Sequence, residues 1–90
     1  VSSLTNYPNP FNPKTVISFD ISENADVKLD IYNSKGQKVN TLLNKTLQRG
    51  KHQIVWDGKD KMQNSLASGI YFYRLIYGKQ TISKKMLMLK

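Results

Sequence analysis

Leu66-Ala67-Ser68-Gly69-Ile70-Tyr71 is the stretch on which the fold turns. A tyrosine just after a glycine, at the head of an alternating apolar run, has the pattern of a tyrosine corner. Its hydroxyl reaches back to main chain a few residues upstream and pins a crossover between two β-sheets. Gly69 supplies backbone freedom at such a corner. Tyr71 then sets the phase of the run that follows. Tyr73, Leu75 and Tyr77 share its face, and Phe72, Arg74 and Ile76 take the other.

The same period of two recurs on the N-terminal side. Ile17, Phe19 and Ile21 alternate with Ser18 and Asp20; Val27, Leu29 and Ile31 alternate with Lys28, Asp30 and Tyr32; His52, Ile54 and Trp56 alternate with Gln53, Val55 and Asp57. Such alternation marks antiparallel strands with one dry face. Turn signals separate them, at Ser22-Glu23-Asn24, Asn33-Ser34-Lys35-Gly36, Arg49-Gly50, Asp57-Gly58 and Gly78. The expected strands cover residues 3–7, 15–21, 26–32, 37–43, 51–57, 69–77 and 80–89. Val39, Leu42 and Leu43 also fit a helical spacing, but Asn40, Thr41, Asn44 and Thr46 are poor helix formers, and the strand reading is preferred. Asn6-Tyr7-Pro8-Asn9-Pro10-Phe11-Asn12-Pro13 can be neither helix nor central strand, because each proline removes a donor. It is expected to run as a stiff extended piece along a sheet edge. The expectation is one all-β domain over residues 1–90, a seven-stranded immunoglobulin-like antiparallel β-sandwich.

Composition bounds the rest. Ninety residues are enough for one domain and too few for two. The chain has no cysteine, which excludes a disulfide framework and thiolate metal sites and leaves stability to packing. Fourteen Lys and Arg against six Asp and Glu give a net charge of +8, and the cations concentrate from Lys45 onward. That balance permits phosphate-rich partners without choosing among nucleic acid, anionic lipid and lipopolysaccharide. The longest apolar run, Met86-Leu87-Met88-Leu89, is far short of the roughly 20 residues that span a bilayer, so no membrane span is expected. No signal peptide opens the sequence. An exported form would carry its export signal upstream, in a longer precursor.

Each chemistry-bearing residue has a structural explanation. His52, the single histidine, shares its phase with Ile54 and Trp56 and reads as a packing residue. Asp57, Asp60 and Asn64 could offer oxygen ligands to calcium, yet their spacing matches no standard loop and turn capping explains them. Asp26 and Asp30 share a strand face, but a carboxylate pair for hydrolysis needs a cleft that so small a chain hardly encloses. Neither a Gly-x-Ser-x-Gly elbow nor a Gly-rich phosphate loop is present. No catalytic residue, metal ligand or cofactor is assigned. Trp56 is expected at the centre of the core. Lys79, Lys84, Lys85 and Lys90 make the terminal strand basic, which serves edge protection or a recognition surface equally well. Nothing matches a nucleic-acid motif, and nucleic acid is not an expected partner.

In order along the chain stand the Asn6-to-Pro13 stretch, Ile31-Tyr32-Asn33, Gly36-Gln37, Trp56-Asp57-Gly58, the run from Ser68 to Leu75, and Lys84-Lys85-Met86. Together, over about residues 4–90, this set resembles the type A C-terminal sorting domain of the type IX secretion system. That family is related to the immunoglobulin-like domain of the flagellar hook-capping protein. The resemblance implies a module at the C-terminus of secreted or cell-surface cargo, with a passenger domain N-terminal to it. It would be recognised by an outer-membrane translocon and commonly removed by a sortase-like cysteine peptidase. The Pro-x-Pro element corresponds to Pro8 and Pro10, the Gly-x-Tyr element to Gly69 and Tyr71, and the basic terminal element to Lys84, Lys85 and Lys90. Lys14 stands where serine is common, and the loop over residues 58–66 is nearer the hook-capping version. The alternative is a structural accessory domain of a multidomain extracellular enzyme, either a spacer or a carbohydrate-binding unit.

Overall fold

A computed structural model describes residues 3–90. It contains seven strands: β1 (Ser3–Tyr7), β2 (Thr15–Ile21), β3 (Ala25–Asn33), β4 (Lys38–Leu47), β5 (Gly50–Trp56), β6 (Gly69–Tyr77) and β7 (Gln80–Met88). They form two antiparallel sheets, β1-β2-β5 and β4-β3-β6-β7, and the all-β immunoglobulin-like sandwich is the fold. The alternation read from the sequence sets the buried faces. Thr15, Ile17, Phe19 and Ile21 of β2 point inward against Val27, Leu29 and Ile31 of β3 and Tyr71, Tyr73, Leu75 and Tyr77 of β6.

Strand β4 is longer than expected and runs through the stretch with helical spacing. Register jumps occur opposite Leu29/Asp30 and Ile31/Tyr32, where β4 carries an extra residue each time. Two bulges break the period of two, so the core-contacting side chains fall at Val39, Leu42, Leu43 and Leu47. A bulged strand therefore mimics a helical stripe. The outer face of the same pair holds Asp30, which is 1 % exposed. It accepts a 2.7 Å hydrogen bond from Thr41 Oγ1 and lies 3.7 Å from both Lys28 Nζ and Lys38 Nζ.

Trp56 is fully buried and lies between the two sheets. Its ring packs 5.3 Å from Tyr71 edge-on and 5.7 Å from Phe11, and its Nε1 donates to the carbonyl of Lys59. The loop over residues 57–66 thereby closes one end of the sandwich, where Asn40 Nδ2 also donates to the Lys59 carbonyl. Gly58 makes that closure possible. It takes φ +75°, and a Cβ there would lie 2.8 Å from Met88 Sδ and 3.1 Å from the Pro13 carbonyl. Gly58→Ala is expected to destabilise the domain by more than about 1 kcal/mol, read as a lower denaturant midpoint with unchanged slope.

Candidate recognition site on the last strand

The proline-rich segment docks on the edge of β7, but it bends instead of running straight. Its asparagines impose the bends. Asn6 Nδ2 donates to Thr15 Oγ1 (3.1 Å), Thr15 Oγ1 donates to the Pro8 carbonyl (2.9 Å), and Asn6 Oδ1 accepts from Tyr73 Oη (3.2 Å) across the sheets. The next three residues then reach β7. Asn9 Oδ1 accepts from the Leu87 amide at 3.0 Å, the Phe11 amide donates to the Leu87 carbonyl at 3.0 Å, and the Leu89 amide donates to the Phe11 carbonyl at 2.8 Å. Phe11 and Met88 form a short parallel bridge. Sequence reasoning gave these roles to the prolines and missed Asn6, Asn9 and Thr15. An asparagine on each side of a proline was the available signal, since such side chains bond nearby backbone.

The expected corner is present. Tyr71 Oη donates to the Ala67 carbonyl at 2.6 Å, and Gly69 adopts φ +154°, outside the range that L side chains favour. Gly69 pairs with Met88 and Tyr71 with Met86, so the corner and the proline segment hold the end of β7 from opposite sides. The Lys90 amide donates to Ser68 Oγ. Gly69 and Tyr71 thus lie beside the inward pair Met86 and Met88, while Pro8 and Pro10 are exposed in the segment that Asn9 and Phe11 dock on β7.

The three lysines do not form one surface. Lys84 and Lys85 are adjacent in β7 and project to opposite sheet faces, and Lys90 lies beyond the strand. Lys84 shares the inward side with Met86 but stays exposed, over a shallow depression of about 220 Å³ lined with Thr5, Asn6, Asn9 and Tyr73. Lys85 faces outward beside a second depression of about 230 Å³, lined by Asn9, Ile70, Met86 and Leu87. Leu87 directs both main-chain groups away from β6. With a period of two, Thr81, Ser83 and Lys85 do the same. β7 is the outer strand of its sheet, so those three residues present an open edge, while the edge at Leu87 and Leu89 is already occupied. Met86 and Met88, sealed into the core, draw the last third of the strand inward to this covered edge.

Other candidates resolve into packing. His52 stacks on Phe19 and contacts the Gln48 carbonyl through Nε2 at 2.7 Å. Asp60 Oδ1 accepts from the amides of Met62 and Asn64, and Asp57 Oδ1 from that of Lys59. Asp26 pairs with Thr46. Among the described residues no group of three or more His, Asp or Glu could hold a metal ion, and no helix is long and apolar enough to cross a membrane. Full burial of Trp56 removes it as a sugar platform.

The class of protein is therefore an immunoglobulin-like sandwich whose last strand is half clamped and half open. Residues 6–80 match the model of the FlgD Ig-like domain, and the chain belongs to that family. It matches no curated protein. Among solved structures it is similar to dimeric latent PorU from Porphyromonas gingivalis, with TM-score 0.78 and 22% identity, over 96% of this chain and 9% of that one. It is also similar to PorZ, a surface component of the type-IX secretion system of the same organism, with TM-score 0.64 and 18% identity, over 98% and 12%. FlgD from P. aeruginosa gives TM-score 0.65 and 22% identity, over 82% and 57%. The chain spans less than two thirds of each of these proteins.

Tyr71→Phe removes the corner donor and leaves the Ala67 carbonyl unpaired, which is expected to cost about 1–2 kcal/mol in denaturant unfolding. Burial pushes the phenols of Tyr71 and Tyr73 above their ordinary value of 10.0. The unfolded chain then releases these protons first, so their contribution is whole below pH 10 and is lost as pH rises through the folded values. Phenolate absorbance should show these two residues titrating above pH 10. The double variant Tyr71→Phe/Tyr73→Phe should lose stability less steeply above pH 10.

Proposed function

We propose that this domain is a non-catalytic C-terminal sorting module, read by the outer-membrane translocon of type IX secretion at the open edge of β7. The observation that carries the reading is the convergence of the proline segment and the tyrosine corner on one strand. Both hold the end of β7 and leave Thr81, Ser83 and Lys85 with free main-chain groups. An extended segment of a partner can add to such an edge, bonding to the main chain and placing alternate side chains in the flanking depressions. Lys84 and Lys85 favour an acidic partner and speed encounter with it. Likeness of fold to PorU and PorZ supports the assignment to this secretion route. On this reading a passenger precedes the domain, the protein is exported to the cell surface, and a sortase-like peptidase acts upstream of β1.

A structural accessory role is the second reading, favoured by the family match to the flagellar hook-capping domain. Ser83→Pro separates the two. It deletes an outward amide without touching the β6 ladder, a substitution that edge strands tolerate. A passenger fused ahead of the variant should accumulate in the periplasm of a type IX-competent host, while the isolated domain keeps its thermal midpoint. Normal export of that fusion would leave the accessory reading standing.

A further inference from the structure

The two ends of the sandwich differ in chemistry. Among the described residues the large apolar side chains that remain exposed are Tyr7, Val55, Met62, Ile70 and Leu89, with Tyr7 81 % and Met62 73 % accessible. All five lie at one end. Tyr7, Val16 and Val55 form a single cross-strand row there, next to the Thr15–Trp56 pair. Met62 sits in the loop whose Lys61 amide bonds to Val39. Ile70 is the second residue of β6, and Leu89 follows β7. Between them stand Lys14, Lys35, Lys38, Lys59, Lys61 and Lys90, against Asp57, Asp60 and the Asp30 carboxylate paired with Lys38, a net +3. At the opposite end Lys45, Arg49, Lys51 and Lys79 face Asp20, Glu23 and Asp26, a net +1, and none of the described residues there is a large exposed apolar one.

From this asymmetry we infer that the basic, apolar-tipped end seats on an anionic phospholipid bilayer surface. Apolar side chains ringed by lysines suit the headgroup boundary, where the lysines meet lipid phosphate and the apolar tips enter the acyl region. Charge complementarity selects an anionic surface over a neutral one. β1 starts beside Asp20 and Lys51 at the opposite end, and the molecule is 36 Å along its longest axis. The end in question lies away from the open edge at Thr81 and Ser83, while Ile70 is shared with the depression beside Lys85.

The test is co-sedimentation of the intact domain with vesicles of phosphatidylcholine alone and of phosphatidylcholine with roughly a third phosphatidylglycerol, at low salt. Binding at least about tenfold tighter to the anionic vesicles is expected, weakening as salt rises. Tyr7→Ser and Met62→Ser, both on the surface, should each reduce binding with unchanged thermal midpoints. Removing charge at the opposite end (Lys45→Gln, Arg49→Gln, Lys51→Gln) should leave it nearly intact. The chain lacks cysteine, so Met62→Cys can carry an environment-sensitive dye. Its emission should shift to the blue on vesicles, and that of Arg49→Cys should not. Three results would overturn the inference: no preference for anionic vesicles, a loss from charge removal at the opposite end as large as that from Tyr7→Ser or Met62→Ser, or self-association through this end in the absence of lipid binding.

Discussion

The structure depends on how Phe11 is held. Its main chain bonds to β7 at Leu87 and Leu89, while its ring packs on Trp56 in the core. One residue therefore ties the segment leaving β1 in the first sheet to the last strand of the second. Main-chain hydrogen bonds fix its position, and ring burial makes that position favourable. Without this tie Met86 and Met88 would be covered on one side only, and the β7 edge would be open along its whole length.

Half-closing an edge is a sound solution to a general problem. A bare edge strand is a template for unwanted pairing, and natural sheets blunt it with charges, short strands or covering segments. Two of these devices coexist here on one strand: a covering segment over Leu87 and Leu89, and lysines at positions 84 and 85 on opposite faces. Lys84 points to the inner side of its sheet at the rim, which penalises indiscriminate pairing. What stays open spans residues 81–85 with three outward main-chain positions, enough for a specific short contact and too short for a stable fibril-like stack.

The sandwich is polarised as well. Its β1 start lies at one end, and the buried corner, the proline segment and the exposed apolar tips lie at the other. Antiparallel pairing makes this outcome possible. Loops alternate between the two ends, so the residues of alternate loops gather at one end although they are scattered along the chain.

Side-chain alternation determined much of this molecule before any coordinates. A period of two assigns each residue of β2, β3, β5 and β6 to a face, and the Gly69-to-Tyr71 corner marks where the chain crosses between sheets. Their inward residues are those the alternation predicted. Local pattern also carried the roles of His52 and Trp56, because one polar or aromatic residue in an apolar phase has few alternatives to packing. Tertiary structure alone decided the rest. The bulges of β4 depend on its partner strand, and the burial of Asp30 depends on Thr41 and Lys38 of β4 together with Lys28 of its own strand. Which part of β7 is open was settled by residues some 80 positions away, since Asn9 and Phe11 claim the hydrogen bonds of Leu87 and Leu89. A strand's own sequence records which way its side chains point, but not which neighbour will take its main-chain groups.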